Sequence, residues 1–448
     1  MIYLDNAATS FPKPPEVAAA VSAALAAPAS PGRSGHAASL SASKTVHRAR
    51  KAVAALLGVQ DNSRVIFVAN VTWALNLALR GLGLKAGDHV LSGPLEHNAV
   101  ARPLSRLVKE VGVEWEVAPL VAGRVEPAEF ARRLRPETKL AVLNHASNVT
   151  GALAPIRDVK AALGDVPLLI DAAQTAGAAP LDDAGSWADI VCFTGHKALM
   201  GPTGVGGLWV RPGLELAPLA VGGTGSRSDS FEPPEFLPDA LEPGTANTHG
   251  LAGLAAGIEF VLGVGVQAIA EHERTLVNLF REKTAPLVGL RILDPSARRT
   301  GVLSLNLPGW SASELAVELE AEAGVLTRAG LHCAPLAHQS LGTFPGGAVR
   351  FSFGWFTSRS DALTAAEAVL AVSRRGRRNP TAGRGLVKSL GAKPFDADKE
   401  VLAARAAAAE AKAARAAEAE AEAVRAAEAE AEAARAAEAE AAGAAGDL

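Results

Sequence analysis

The chain has 448 residues, 49% of them hydrophobic, with 43 glycines, 27 prolines and a formal net charge of −3, which suits a large core shared between two domains. Two cysteines, Cys192 and Cys333, exclude a disulfide framework and favour a reducing compartment. The apolar runs fall short of the ~18 residues that span a bilayer, and the opening MIYLDNAATSFPKP carries an acid where a signal peptide carries bases, so a cytoplasmic protein with no membrane partner is expected.

From residue 64 to about 210, short β-type runs alternate with helical patterns. Seven runs, RVIFVAN, DHVLSG, VEWEVAPL, KLAVLNHAS, PLLIDAAQ, DIVCFTG and VGGLWVR, end at glycine, proline or polar residues, and helix-like stretches such as NAVARPLSRLVKEVG and PIRDVKAALG lie between them. Several are apolar at every position, which predicts a mainly parallel sheet covered on both faces. After EPGTANT the pattern becomes one or two long helices over 248–288, then GVLSLNLPG, a helix from SASELAVELEAEAG, the strand AVRFSFGW and a last helix SRSDALTAAEAVLAVSRR. This reads as a smaller α+β unit. The expected division is 14–247 for the large domain and 1–13 with 248–375 for the small one.

Two segments follow. RRGRRNPTAGRGLVKSLGAK has seven bases and no acid; a solvated basic linker over 376–399 is expected, with no nucleic-acid partner. Residues 400–448 hold eleven acids and five bases, so the tail carries −6 and the rest of the chain +3. Arginine recurs there every ten residues at 405, 415, 425 and 435 in an Ala/Glu background. That composition favours helix, but a ten-residue step keeps no single face aligned, so a solvated helical or disordered tail is expected.

Four strand-end motifs carry chemistry in combination. FTGHKALMGPTGVGG delivers Lys197 to a glycine-rich turn, and LLIDAAQTAG ends an apolar strand on Asp171, where an unpaired carboxylate is costly to desolvate. Taken singly, a surface lysine and a helix cap explain them. Together they suit an aldehyde cofactor that condenses with a lysine and has a ring nitrogen needing a carboxylate, which is pyridoxal 5′-phosphate. IFVANVTWALNLAL opens a helix near Val71 and Thr72, whose free amides would hold the phosphate. GPLEHNAV places His97 after a strand, where an imidazole could stack on a flat ring. No GxxxxGK[ST] or GxGxxG in a strand-helix setting points to a nucleotide.

In order and spacing, YLDNAATS, EHNAV, SNVTG, DAAQTAG, FTGHKALMGPTGVGGLWV, EPGTANT and RAGLHCAP resemble the class V aminotransferase group of fold-type I pyridoxal-phosphate enzymes, and most closely its SufS-type (group II) cysteine desulfurases. The resemblance covers about residues 1–375. It implies that Lys197 holds the aldehyde as a Schiff base, Asp171 pairs with the pyridine nitrogen, Gln174 bonds the ring oxygen and His97 stacks on the ring. It further implies that Val71, Thr72, Thr194 and His196 hold the phosphate, with Thr245 reaching the phosphate of a second subunit in a homodimer. Asn148 would lie near the ring oxygen or substrate carboxylate, Arg350 would grip that carboxylate, and Arg328 and Cys333 match the first and last positions of RxGxHC. The activity implied is conversion of L-cysteine to L-alanine, with a persulfide on Cys333 passed to a sulfur-acceptor protein, a shuttle or scaffold of the kind that serves iron-sulfur cluster assembly.

The sequence departs from the pattern at three places: Val-Thr stands for Thr-Thr at the phosphate turn, Leu331 for a histidine, and Asn98 for a second histidine. Selenocysteine lyase, or an aminotransferase, epimerase or kynureninase-like lyase in which Cys333 is an ordinary buried thiol, remain alternatives. A metal site or scaffold built on His332, Cys333 and His338 is a third, with no CxxC to support it. By adjacency, His332 and Arg328 are candidates to favour the Cys333 thiolate. His338 reads as an ordinary loop residue, and Cys192, in mid-strand, as an inert core thiol.

Overall fold

A computed structural model describes residues 1–28, 31, 36–293 and 298–375; the expected basic linker and Ala/Glu tail lie outside them. The seven runs form one sheet, ordered Val65–Val68, Gly206–Val210, Ile190–Thr194, Leu168–Asp171, Thr138–Asn144, His89–Ser92 and Glu114–Val117. Only Gly206–Val210 runs antiparallel to its neighbours.

The continuous apolar runs are explained by packing on both faces. Alternate residues Val90, Val142, Leu169, Ile190, Cys192 and Leu208 enter one core cluster, and Leu91, Leu143, Ile170, Val191, Phe193 and Trp209 enter the other. Burying a side chain of this size contributes about 1.5–3 kcal/mol, so both faces stabilise the sheet. The helix Asn98–Val111, which follows His89–Ser92, packs on the first face, whereas Ile156–Leu163, which follows Thr138–Asn144, packs on the second. The chain thus leaves these two adjacent strands in opposite directions. A crevice opens at such a switch point, beyond the carboxyl ends of the strands.

The helix Thr248–Val264 buries Leu251, Leu254, Ile258 and Val261 in the second of these clusters. Its close approach needs glycine: a Cβ on Gly257 would lie 2.4 Å from the Leu199 carbonyl oxygen, just after the Lys197 turn. A four-stranded antiparallel sheet, ordered Arg291–Ile292, Val302–Asn306, Ala348–Ser352 and Arg328–Gly330, shares a third cluster with Val266–Thr284, Ala312–Ala323 and Arg359–Arg375. Ser311 and Glu314 form a capping box at the start of Ala312–Ala323. Among the described residues, no single helix is long and apolar enough to cross a membrane.

Glu273, in Val266–Thr284, is buried and accepts a hydrogen bond from the Gly301 amide at 3.0 Å. Burial raises its pKa to about 8 from an ordinary 4.5. The folded protein therefore keeps a proton that the unfolded chain releases, and the stabilisation present below about pH 4.5 declines until about pH 8, by up to about 1.4 kcal/mol per pH unit. Urea unfolding at several pH values is expected to show Glu273→Gln losing less stability than the unsubstituted protein across that window.

Candidate active site

Three polar side chains stand at the carboxyl ends of adjacent strands: Asn144, Asp171 and Thr194 end Thr138–Asn144, Leu168–Asp171 and Ile190–Thr194. Asn144 is paired in register with Asp171. His97 and Asn148 come from the loops after His89–Ser92 and Thr138–Asn144 and close the crevice at the switch point. Val71, His97, Asn148, Asp171, Gln174 and Lys197 line one pocket, with Asn144, Ala146 and Ala173.

The Asp171 carboxyl accepts the Ala173 amide at 2.9 Å. Burial raises its pKa, opposed by that hydrogen bond and by the Lys197 ammonium. Burial lowers the Lys197 amine to about 8, with Asp171 opposing, so near neutral pH it gains and loses a proton readily. His97 caps Asn98–Val111 by accepting the Ala99 amide at Nδ1, 3.0 Å away. Burial, then Lys197, Arg328, Arg350 and Arg102, lowers its pKa to about 4, which leaves a neutral flat ring facing the pocket.

The helix Val71–Gly81 begins at the mouth of the crevice. Its cap Asn70 takes the Trp73 amide, which leaves the first-turn amides of Val71 and Thr72 for an anion. Glycine is required opposite: a Cβ on Gly206 would lie 2.7 Å from Asn70 Cα. Thr194 Oγ1 and His196 Nδ1 are buried with no hydrogen-bond partner among the described residues, as are Asn148 Oδ1 and Arg350 Nε. A helix N-terminus with free amides, orphaned polar atoms on Thr194 and His196, and a buried lysine-carboxylate pair fit pyridoxal phosphate: an anion for the amides and the hydroxyl, a cationic ring nitrogen for Asp171. Thr245 is exposed and lines a different groove, with Ala69, Trp73 and Gly244.

Arg350 is 1% exposed. Its Nη2 pairs with Asp5 Oδ1 at 2.7 Å and its Nη1 donates to the Asn148 carbonyl at 3.3 Å. Arg328 lies directly across the strand pair from it. Like charges in that position repel, so Asp5 and any bound carboxylate offset a cost built into the sheet. The N-terminal segment also clasps the lysine turn. The His196 carbonyl accepts from Ser10 N, Thr9 Oγ1 and Lys13 Nζ at 3.0, 3.0 and 2.7 Å, Ser10 Oγ donates to the Lys197 carbonyl at 2.8 Å, and Gln174 Nε2 donates to the Ala7 carbonyl at 3.0 Å. Gln174, given to the ring oxygen on resemblance, thus also ties its amide nitrogen to this segment. Asp5 and Ser10 lie in YLDNAATS and Glu96 in EHNAV without an expected role, as does Lys13 nearby; the buried Glu96 carboxyl accepts the Asn144 amide at 2.9 Å, and burial raises its pKa well above the ordinary value.

Cys333 is exposed, unlike the buried thiol of the alternative readings. It follows His332 in a tight turn closed by the Ala334 amide on the Leu331 carbonyl at 2.8 Å. Both central residues are left-handed, at φ 51° and 55°. The Asn98 amide donates to the Cys333 carbonyl at 2.7 Å, and Asn148 Nδ2 to the His332 carbonyl at 2.8 Å, so the residue after His97 and the pocket residue Asn148 hold the turn against the crevice. Arg328 Nη2 lies 4.0 Å from Cys333 Sγ. His332 does not supply positive charge to the thiol: burial lowers its pKa to about 3. His338 is no loop residue, but a fully buried member of the helix Pro335–Ser340. Cys192 is buried, and burial raises its thiol well above the ordinary range.

Residues 2–363 match the model of the class V aminotransferase family. The chain is 31% identical over 381 residues to a protein from Pyrococcus abyssi named a probable cysteine desulfurase, covering 81% of this chain and 92% of that one. A probable cysteine desulfurase from Mycolicibacterium paratuberculosis is 32% identical over 84% of this chain, which spans only 56% of that relative. Among solved structures, the apo cysteine desulfurase from Thermococcus onnurineus superposes with a TM-score of 0.78 at 29% identity, covering 84% and 95% of the two chains. The chain belongs to the class V aminotransferases, a pyridoxal-phosphate-dependent family.

Two outcomes are expected. In apoprotein, mass-spectrometric labelling of Lys197 by an amine-directed reagent rises through about pH 8, about two units below ordinary lysines. Combining Thr194→Val with His196→Phe weakens cofactor retention on spectrophotometric titration by about tenfold or more, as lost hydrogen bonds to a charged group predict.

Proposed function

We propose that the protein is a pyridoxal-phosphate-dependent cysteine desulfurase that converts L-cysteine to L-alanine and carries the sulfur as a persulfide on Cys333. The observation that carries this reading is an exposed thiol on a turn tied by Asn98 and Asn148 to the pocket that holds Lys197 and Asp171.

Bound pyridoxal phosphate supplies the electron sink that loosens bonds at the substrate's Cα and Cβ. The chain's residues do the rest. The Val71 and Thr72 amides, the Thr194 hydroxyl and His196 would hold its phosphate, Asp171 its ring nitrogen and Gln174 its ring oxygen, with the neutral His97 ring beside it. Arg350 binds the substrate carboxylate through the Nε that the protein leaves unpartnered, with Asn148 beside it. Lys197, titrating near 8, takes the Cα proton. The Cys333 thiolate, next to Arg328, attacks the substrate sulfur: an S–S bond forms, the Cβ–S bond breaks, and the bonding pair stays on carbon, which is protonated on the way to alanine.

A homodimer is part of the proposal, since exposed Thr245 fits a contact with the phosphate of a second subunit better than with its own. So are a cytoplasmic location, a large unit at 14–247 and a small one at 1–13 and 248–375, and a sulfur-acceptor protein, of the shuttle or scaffold type, that takes the persulfide sulfur toward iron-sulfur cluster assembly.

Sulfide release from L-cysteine under reductant, with selenocysteine and cysteine sulfinate in parallel, tests the reading. Cys333→Ala is expected to keep the cofactor absorbance and lose turnover with cysteine by about a hundredfold or more, as removal of a nucleophile does, while Cys192→Ala changes neither. Full cysteine turnover in Cys333→Ala would remove the thiol from the mechanism. A loss confined to cysteine, with selenocysteine turnover intact, would favour selenocysteine lyase.

A further inference from the structure

The turn that presents Cys333 is strained, and two buried histidines supply part of its restraint beside the Asn98 and Asn148 hydrogen bonds. A left-handed conformation costs a non-glycine residue about 1–2 kcal/mol, and here it occurs twice in succession, at His332 and Cys333. Such a conformation persists only where its surroundings fix it. Part of that fixing comes from the His332 ring, whose Nε2 lies 3.0 Å from the carbonyl oxygen of Arg328, five residues before the nucleophile. His332 Nδ1 faces His338 Nε2 at 3.4 Å, and His338 Nδ1 faces Thr343 Oγ1 at 2.7 Å.

One set of protons satisfies this chain. A carbonyl only accepts, so His332 Nε2 carries the hydrogen. Burial keeps His332 neutral, which leaves its Nδ1 bare and able to accept from His338 Nε2–H. With its hydrogen on Nε2, the His338 ring in its neutral form, which burial favours by lowering the pKa, has Nδ1 free to accept from the Thr343 hydroxyl, which lies 2.7 Å from it and 3.5 Å from the His338 carbonyl. The far end is anchored, because the Thr343 amide donates to the His338 carbonyl at 2.8 Å. Beneath the turn, Ala334 and Ala337 join Leu95 and Val149 in an apolar cluster that backs it.

We propose that His338 is a positioning residue for Cys333: with Thr343 behind it, it fixes the tautomer and ring orientation of His332, which in turn fixes the left-handed pair that carries the thiol. This rests on Cys333 being the nucleophile. The relay needs a donor at the position of His338 Nε2, and a glutamine amide can supply one there whereas leucine cannot.

The test uses full-length holoenzyme and compares His338→Leu, His338→Gln and Thr343→Val. In cysteine turnover, His338→Leu is expected to lower kcat by about tenfold or more with KM within about twofold and cofactor absorbance unchanged, His338→Gln to recover to within about threefold, and Thr343→Val to fall between them, the pattern of a lost orienting group rather than lost substrate binding. The rate of Cys333 alkylation by iodoacetamide, followed by peptide mass, is expected to differ from the unsubstituted protein by about fivefold or more in His338→Leu and to return in His338→Gln. This second readout does not depend on desulfuration, so a protein that forms no persulfide but shows the alkylation pattern contradicts the function and not the relay. Equal behaviour of the leucine and glutamine variants would overturn the proposal in favour of simple packing. If His338→Leu does not fold, unchanged kcat and alkylation rate in Thr343→Val would overturn it as well.

Discussion

Asp171 at the end of a buried strand is the constraint on which the site depends. A carboxylate sealed there is costly unless a cation faces it, and the protein places the Lys197 amine in the same pocket, with each group moderating what burial does to the other. A cofactor that brings a protonatable ring nitrogen to Asp171 and an aldehyde to Lys197 relieves both. The parallel sheet makes this possible, because the carboxyl ends of adjacent strands all point into one crevice.

The N-terminal segment ties this crevice to the smaller sheet. Within residues 2–13 the chain adds a strand beside Val325–Leu326, sets Asp5 on Arg350, hands the Ala7 carbonyl to Gln174 and clasps the peptide on either side of Lys197 through Ser10 and Lys13. The groups that would orient substrate, cofactor and base therefore share one short covalent span. Each contact is a single hydrogen bond or ion pair of modest net strength; their effect lies in allowing only one mutual arrangement.

The large sheet was legible because buried parallel strands read as unbroken apolar runs ending at polar residues, and those end residues include Asp171 and Thr194, the ones the proposed site uses. The Lys197 turn was legible for the same reason. Contacts between residues far apart in sequence were not: Asp5 and Arg350 are 345 positions apart, and nothing in either motif announces the pair. His332 misled in another way. Its adjacency to Cys333 suggested a charged helper, yet the ring turns toward the Arg328 carbonyl and His338, where burial keeps it neutral. His338 looked like part of a loop because Pro335–Ser340 is a helix of only six residues, too short for its periodicity to show.

The most direct measurement is to give holoenzyme one equivalent of L-cysteine without reductant, quantify alanine, and map sulfur on the protein by peptide mass spectrometry. One alanine per active site and one added sulfur atom on the peptide containing Cys333 are expected. Alanine formed with no sulfur on that peptide, or sulfur on Cys192 instead, would contradict the assignment of Cys333 as the acceptor.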